Sequence, residues 1–453
     1  VQEMNEAGGV LGKVARWFWG QPTVGQQRAK SHVPIARDIA RASAVLLFGE
    51  ELQLDTGTVD QERLQEILNG NRWQSLLPEA AEFCAALGGV YLRCGWDASV
   101  AAHPLISVVQ PDHAIPTFRW GRLAEVTFWQ VVRTEGGTVW RHLETHRPGE
   151  VIHQLWQGTP NQLGRTVPLD EAPQTAGLQV DENAAIPTGS TRLTATYVPN
   201  VRPAPLWRDD PLGQNMGCSD FAGLEPRMDE LDEAWSNLRR EGRLNKTRIM
   251  AADYLLETSG PGTGASFDLD REVFVPMKVA ITEQPTMPVE VSASTLTAKD
   301  RPDTIEALTR EIYTDAGYSP STFGLEGDVG ITATEVSARE RKTMSTREMK
   351  TRYWTPALED FLESVTEVDR HVFNKGIIVR PTVTFPASVS PTLAEVGQTV
   401  QLLNTAQAAS VDTRVRMVHP DWDDTQIDEE VARIMAENAM TTPTISIEDP
   451  EQD

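Results

Sequence analysis

The chain has 453 residues, a formal net charge of −24, and 40% hydrophobic and 23% charged residues. That length exceeds what one hydrophobic core of ordinary size fills, so two or more packed units are expected, with the composition of a soluble globular protein. No segment approaches the roughly 20 apolar residues of a membrane helix, and the acidic balance is the opposite of the basic face with which a protein grips phosphates.

The first residues (Val1-Gln2-Glu3-Met4-Asn5-Glu6) carry no basic region followed by an apolar stretch, so no secretory signal is expected. Residues 1–85 read as helical: Ile35, Ile39, Ala42, Leu46 and Leu47 recur at helical spacing, and Leu64, Ile67 and Leu68 do so again after a turn at Thr56-Gly57. Pro78 stands where a further helix could begin, carrying Ala81, Phe83 and Leu87. From Gly88 the period changes to two. Strands are expected over 90–94, 105–109, 125–132, 138–143 and 150–156, with Glu135-Gly136-Gly137 and Arg147-Pro148-Gly149 as hairpin turns. The Pro/Gly/Thr-rich stretch 158–211 reads as mostly loop.

The helical period returns with Met228, Leu231, Trp235 and Leu238. Acidic residues come first (Asp229, Glu230, Asp232, Glu233) and basic ones last (Arg239, Arg240, Arg243, Lys246), an order that suits the helix dipole. A β-like segment broken by the glycine-rich loop 259–264 follows, continuing through 272–276 and 279–281. A second helix is capped by Asp300, holds Pro302 in its first turn, shows a stripe of Ile305, Leu308 and Ile312, and ends at Gly317. After the loop 323–330 comes the longest helix candidate, 333–373. Its first half is polar on every face (Ser337, Arg339, Glu340, Arg341, Lys342, Ser345, Thr346, Arg347, Glu348, Lys350), and an apolar stripe appears only beyond Trp354. Such a helix needs neighbours that pair its charges, which suggests contacts between subunits. A strand over 376–385, two or three amphipathic helices over 392–439 and an acidic tail from Met440 complete the chain.

No catalytic constellation stands out. The histidines are scattered: His142, His146 and His153 lie in the meander, where alternation and hairpin register do not obviously bring them together, so they read as exposed strand histidines. His-Glu-x-x-His and Cys-x-x-Cys spacings do not occur, and no metal or cofactor is expected. The loop 259–264 lacks the Gly-Lys-Ser/Thr ending of a phosphate loop. Carboxylate pairs such as Asp229/Asp232, Asp209/Asp210 and Asp423/Asp424 are explained by solvated faces and helix N-termini in so acidic a chain. Cys84, Cys94 and Cys218 cannot all pair and fit small buried thiols of a reducing compartment. Trp120, Trp129, Trp140 and Trp156 suit a sheet core or a subunit interface better than a base-stacking platform.

The order of elements and several stretches of sequence resemble the portal proteins of long-tailed bacteriophages, across nearly the whole chain. The stretches are Leu46-Leu47-Phe48-Gly49-Glu50; the hairpin 143–152; Gly217-Cys218-Ser219-Asp220-Phe221-Ala222-Gly223-Leu224-Glu225 leading into 228–236; and Arg243-Leu244-Asn245-Lys246-Thr247-Arg248-Ile249. Most distinctive is Ala316-Gly317-Tyr318-Ser319-Pro320-Ser321-Thr322-Phe323-Gly324, followed by Thr332-Ala333-Thr334-Glu335-Val336 and the long Arg/Lys-rich helix ending at 352–358. Residues 410–413 and 424–434 resemble the family's crown-side helices.

The resemblance implies an α+β portal fold. Its parts would be a helical and β-rich wing (1–226), a first stem helix (227–248), a small α/β clip (249–299), a second stem helix (300–318), a tunnel loop (319–334), a long wing helix with a strand (335–390), and a helical crown with an acidic tail (391–453). It implies a non-enzymatic homo-oligomer, a ring of about twelve subunits at one capsid vertex of a virion assembled in the host bacterial cytoplasm, with no membrane partner. Double-stranded DNA would pass through the ring without sequence preference. The terminase, the major capsid protein, head-completion adaptors and tail proteins would be its partners. Candidate channel residues are Phe323, Gly324, Leu325, Glu326, Gly327, Asp328, Val329 and Gly330, with Arg239, Arg243 and Lys246 as stem cations that could face phosphates. Rival readings are another head–tail adaptor or minor capsid protein, and an acidic hydrolase built on a carboxylate pair.

Overall fold

Helical spacing of small and branched apolar residues builds the first elements, and the cores they bury set where everything else sits. The computed structural model describes residues 32–57, 61–211, 213–244, 248–251, 257–258, 265–266, 289–292, 300–325, 333–386, 393–419, 422 and 424–441. The architecture mixes helix and sheet, as an α+β chain should, and divides into two compact units, residues 1–386 and 387–453.

In the first unit, helix α1 (Ile35–Phe48) serves two cores at once. Ile35, Ala36, Ile39 and Ala40 face one cluster with Phe221, Met228 and Ile312, while Ala44, Leu47 and Phe48 face another with Trp73, Trp354 and Phe361. A short strand β1 (Gln53–Asp55) and helices α2 (Gln61–Gly70) and α3 (Trp73–Leu87) follow. Helix α3 begins five residues before the expected start at Pro78, which lies inside it. The proline leaves the carbonyl of Gln74 without a helical partner. Burial of Trp73 and Leu77 in the preceding turn offsets that loss. Gly88 closes the helix at φ +83°, and a Cβ there would sit 2.7 Å from the Gly217 carbonyl oxygen, so both the torsion and the space call for glycine.

The β-rich part forms two sheets. Strands β2 (Gly89–Gly95) and β3 (Leu105–Val109) pair with β10 (Ala195–Pro199) in the order β10-β2-β3, all antiparallel. The second sheet is the meander β4 (Ala114–Arg119), β5 (Arg122–Glu135), β6 (Thr138–Arg147), β7 (Glu150–Thr159) and β8 (Gln162–Val167), with β9 (Ala185–Pro187) added on β7. The two expected hairpin turns are present, with Glu135 paired to Thr138 and Arg147 to Glu150. The stretch 158–211 is mostly loop, as expected, but the short strands β8, β9 and β10 also lie in it. Strand β8 is exposed over Gln162–Thr166 and so shows no alternation, and β9 is only three residues long. The sheets touch through Tyr91 on β2 and Phe128 on β5, with ring centroids 5.6 Å apart at 78°.

Helix α4 (Glu225–Leu244) leads to strand β11 (Arg248–Ala251), which pairs antiparallel with β14 (Val289–Ser292); a two-residue pair β12 (Glu257–Thr258) and β13 (Ala265–Ser266) lies between. The expected strand segments 272–276 and 279–281 lie outside the described residues. Helix α5 (Asp300–Asp315) returns, and helix α6 (Ala333–Val372) runs through the unit. Of the expected strand 376–385 only β15 (Thr382–Thr384) forms, pairing with β1.

The second unit is three helices, α7 (Leu393–Thr405), α8 (Val411–Val418) and α9 (Asp424–Thr441). Ser410 caps α8 by accepting from the Thr413 backbone N–H, and Arg416 bonds Asp412 and Asp424, tying α8 to the start of α9. Among the described residues no helix is long and apolar enough to cross a membrane.

Candidate functional site at the root of a helix pair

Helices α4 and α5 lie side by side and antiparallel. Met228 and Leu231 share a buried cluster with Ile305 and Ile312, with Trp235, Leu238 and Leu308 packed against it. Arg227, in the first turn of α4, bonds both Glu311 at 3.1 Å and Asp315, in the last turns of α5. At the far end the pair is continued by the β11–β14 ladder, so the chain leaves along one helix and returns along the other.

The root of this pair is fixed by a buried ion pair. Lys350 of α6 donates to Asp220 Oδ2 at 2.6 Å, to Ser43 Oγ of α1 at 2.6 Å and to Tyr318 Oη at 3.0 Å, which uses all three ammonium hydrogens. Asp220 also accepts from Tyr318 Oη at 2.7 Å and from Asn200 Nδ2 at 2.7 Å. The two charged side chains are 1% and 2% exposed, so neither finds water in place of its partner. Asp220 lies five residues before α4 and Tyr318 three residues after α5; one lysine thus holds both ends of the excursion against α1 and α6. Groups this saturated and enclosed suit holding elements in place rather than turning over a substrate.

The polar half of α6 finds partners within the chain itself. Thr343 and Thr346 are buried at helical spacing from Lys350. Thr343 Oγ1 accepts from the Ser319 N–H at 2.8 Å, and Thr346 Oγ1 donates to the Gly317 carbonyl at 2.6 Å. Arg347 donates to the carbonyls of Leu46 and Pro386, both at 2.6 Å. The polar stripe receives backbone groups of Gly317 and Ser319, which an apolar stripe could not satisfy. Helix α5 ends where expected: Gly317 stands at φ +95° and the Tyr318 N–H reaches the Tyr313 carbonyl at 3.0 Å.

Of the sequence-designated channel residues, Phe323, Gly324 and Leu325 are placed. Phe323 stacks on Tyr313 of α5 with centroids 3.6 Å apart, Gly324 closes a short 3₁₀ turn over Pro320–Phe323 at φ +72°, and the Leu325 carbonyl accepts from Arg310. Glu326, Gly327, Asp328, Val329 and Gly330 lie outside the described residues, as does Lys246. Arg239 is exposed on α4, and Arg243 lies on the last turn of the same helix. Of the four singled-out tryptophans Trp140 is buried and Trp129 and Trp156 half-buried, whereas Trp120 stands fully exposed at a turn tip.

The histidines depart most from expectation. His142, His146 and His153 are buried, and strand register gathers them: Glu144 of β6 is paired with His153 of β7, and residues 142, 144 and 146 share one face. His142 Nε2 and His153 Nδ1 face each other at 3.1 Å. Glu144 meets His146 Nε2 at 2.8 Å and accepts from Arg93 of β2 at 2.9 Å. Burial lowers the pKa of His142 and lowers that of His153 to about 4. Burial alone would raise the Glu144 carboxyl, but the hydrogen bond and charge of His146, with the Arg93 guanidinium, outweigh it and hold the group well below the usual carboxylate range.

No protein-family model matches the sequence, and a search of curated proteins finds no relative. Two solved structures align over most of the chain. One is described as the neck of a native GTA particle computed with C12 symmetry, at 14% identity and a TM-score of 0.47, covering 90% of this chain and 94% of its own. The other, the neck of an empty GTA particle computed with C6 symmetry, aligns at 12% identity and a TM-score of 0.38, covering 92% and 97%.

Proposed function

We propose that this chain is a portal-type subunit, which assembles into a ring at one vertex of a phage-like capsid and forms the channel through which double-stranded DNA enters and leaves. The observation that carries this reading is the antiparallel pair α4–α5, prolonged by the β11–β14 ladder and anchored at its root by Lys350 and Asp220. A projecting helix pair held at one end is the form a stem needs if copies are to stand side by side around a bore. The sequence stretches that resemble portal proteins supply, in order, Asp220, Tyr318 and Lys350, the residues that meet at this root.

In this reading α4 and α5 are the stem, residues 249–299 the clip that meets the terminase and later the head-completion and tail proteins, and residues 323–330 the loop at the bore. Arg239, Arg243 and Lys246 either face phosphates or pair with acids of the adjacent subunit. The acidic balance of the chain then becomes a condition for passage, because a wall that released many counterions would hold DNA rather than let it slide.

Native mass measurement and negative-stain imaging of purified protein test the assembly: a large ring with a central hole is expected, and a stable monomer or dimer overturns the reading. Deleting residues 324–330 is expected to leave ring assembly intact and to impair packaging or retention of DNA. Full packaging by that variant refutes the assignment of the loop while leaving the ring itself standing.

A further inference from the structure

A second constellation, separate from the helix pair, lies between the two sheets. Two imidazoles and one carboxylate, from His142, His153 and Glu144, present ligand atoms that all lie within 4.8 Å of one another. A zinc ion bound tetrahedrally at 2.0–2.1 Å by two histidines holds their nitrogens about 3.3 Å apart. His142 Nε2 and His153 Nδ1 already stand at 3.1 Å, in rings nearly parallel at 12°. Two neutral imidazoles facing each other at this distance can share one proton, or each can offer its lone pair to a cation between them.

We propose that His142, His153 and Glu144 form a binding site for a divalent transition-metal ion of the zinc class, which cross-links β6 to β7. The donor set of two imidazoles and one carboxylate suits zinc, with a fourth position left for water. Glu144 keeps lone pairs for a metal while accepting from Arg93 and meeting His146, since a carboxylate has about four acceptor sites. Those two neighbours then act as an outer shell: Arg93 is held by Ser107 Oγ at 3.0 Å and His146 by Thr194 Oγ1 at 2.6 Å, which fixes the carboxylate in place. Gln130, paired with His142 across the sheet, is exposed and contacts His142 Nδ1 at 3.4 Å, so the cluster lies near a solvent-facing edge by which an ion can enter.

The rival account is a hydrogen-bonded histidine pair that never meets a metal. Full-length protein, stripped with a chelator, is titrated with zinc by calorimetry, and bound metal is counted by elemental analysis. One zinc per chain is expected, with a rise in melting temperature that chelator reverses. His142→Gln and His153→Gln should each remove stoichiometric binding, and His146→Gln should weaken it about 10- to 100-fold, the usual effect of losing an outer-shell partner. Zinc that binds the His142→Gln, His153→Gln double variant as well as the unaltered chain overturns the site. Should the variants not fold, cobalt titrated into the unaltered protein decides: the intense visible absorption of a four-coordinate ion supports the site, and its absence overturns it.

Discussion

Lys350 shows at the scale of one residue what a buried charge does for a fold. Its desolvation is offset only because Asp220, Ser43 and Tyr318 take all three hydrogens, so removing one partner leaves an uncompensated charge. Lys350→Ala and Asp220→Ala are each expected to lower the stability of the first unit by about 3–5 kcal/mol, the range for breaking a buried pair. The double variant should cost less than the sum of the two, which a denaturant-unfolding cycle measures; strictly additive losses would mean the two groups do not act together. The cysteines give a second residue-scale test. Burial pushes the thiols of Cys84 and Cys94 far up and that of Cys218, half-buried, up as well. Because the thiolate is the reactive form, a water-soluble thiol reagent should reach Cys218 first and Cys84 and Cys94 only on unfolding. Rapid labelling of either buried thiol in native protein would show that the first core opens locally.

At the scale of elements, the join between α5 and α6 depends on Gly317. Its φ of +95° and the 2.9 Å that would separate a new Cβ from Thr346 Oγ1 both oppose a side chain. Gly317→Ala is expected to cost at least about 1–2 kcal/mol, the penalty of a left-handed torsion for an L-residue, read as a shift of the urea midpoint with unchanged slope. Much of this level was legible in sequence. The glycine and the Ile305, Leu308, Ile312 stripe marked α5, and alternation found five of the strands. What failed had physical causes. Strand β8 is exposed over five of its six residues, so no alternation marks it, and Pro78 looked like a helix start because the buried Trp73 and Leu77 ahead of it act only through tertiary packing. The long helix read as polar on every face because Thr343, Thr346 and Lys350 are buried against backbone and a distant aspartate, partners that no local pattern reveals. The histidine cluster was half-legible. Once Arg147 and Glu150 close a two-residue turn, Glu144 must face His153, and parity puts His142 and His146 on the same side. That face is buried only because β2, β3 and β10 lie over it, which the meander alone does not foretell.

For the whole molecule the governing quantity is the charge of −24 on each copy. If copies stand side by side in a ring, two electrostatic effects compete. Exposed ion pairs across an interface favour association by about 0.2–1 kcal/mol each and weaken as salt rises. Net self-repulsion opposes association over distances set by the Debye length, about 30 Å at 0.01 M ionic strength and about 8 Å at 0.15 M. Several arginines already pair within the chain: Arg192 meets Glu363 and Glu367, Arg380 meets Glu359, Asp360 and Glu363, and Arg63 meets Asp369. With −24 on every copy, repulsion should win. Ring assembly is therefore expected to strengthen as ionic strength rises from 0.01 to 0.15 M, seen as a growing share of the large species in native mass spectra or sedimentation. For the same reason the purified ring should not retard double-stranded DNA at low salt, where a basic groove would bind it most tightly. Retardation at 0.01 M that salt abolishes would mean that a hidden cationic surface, and not an acidic wall, faces the bore.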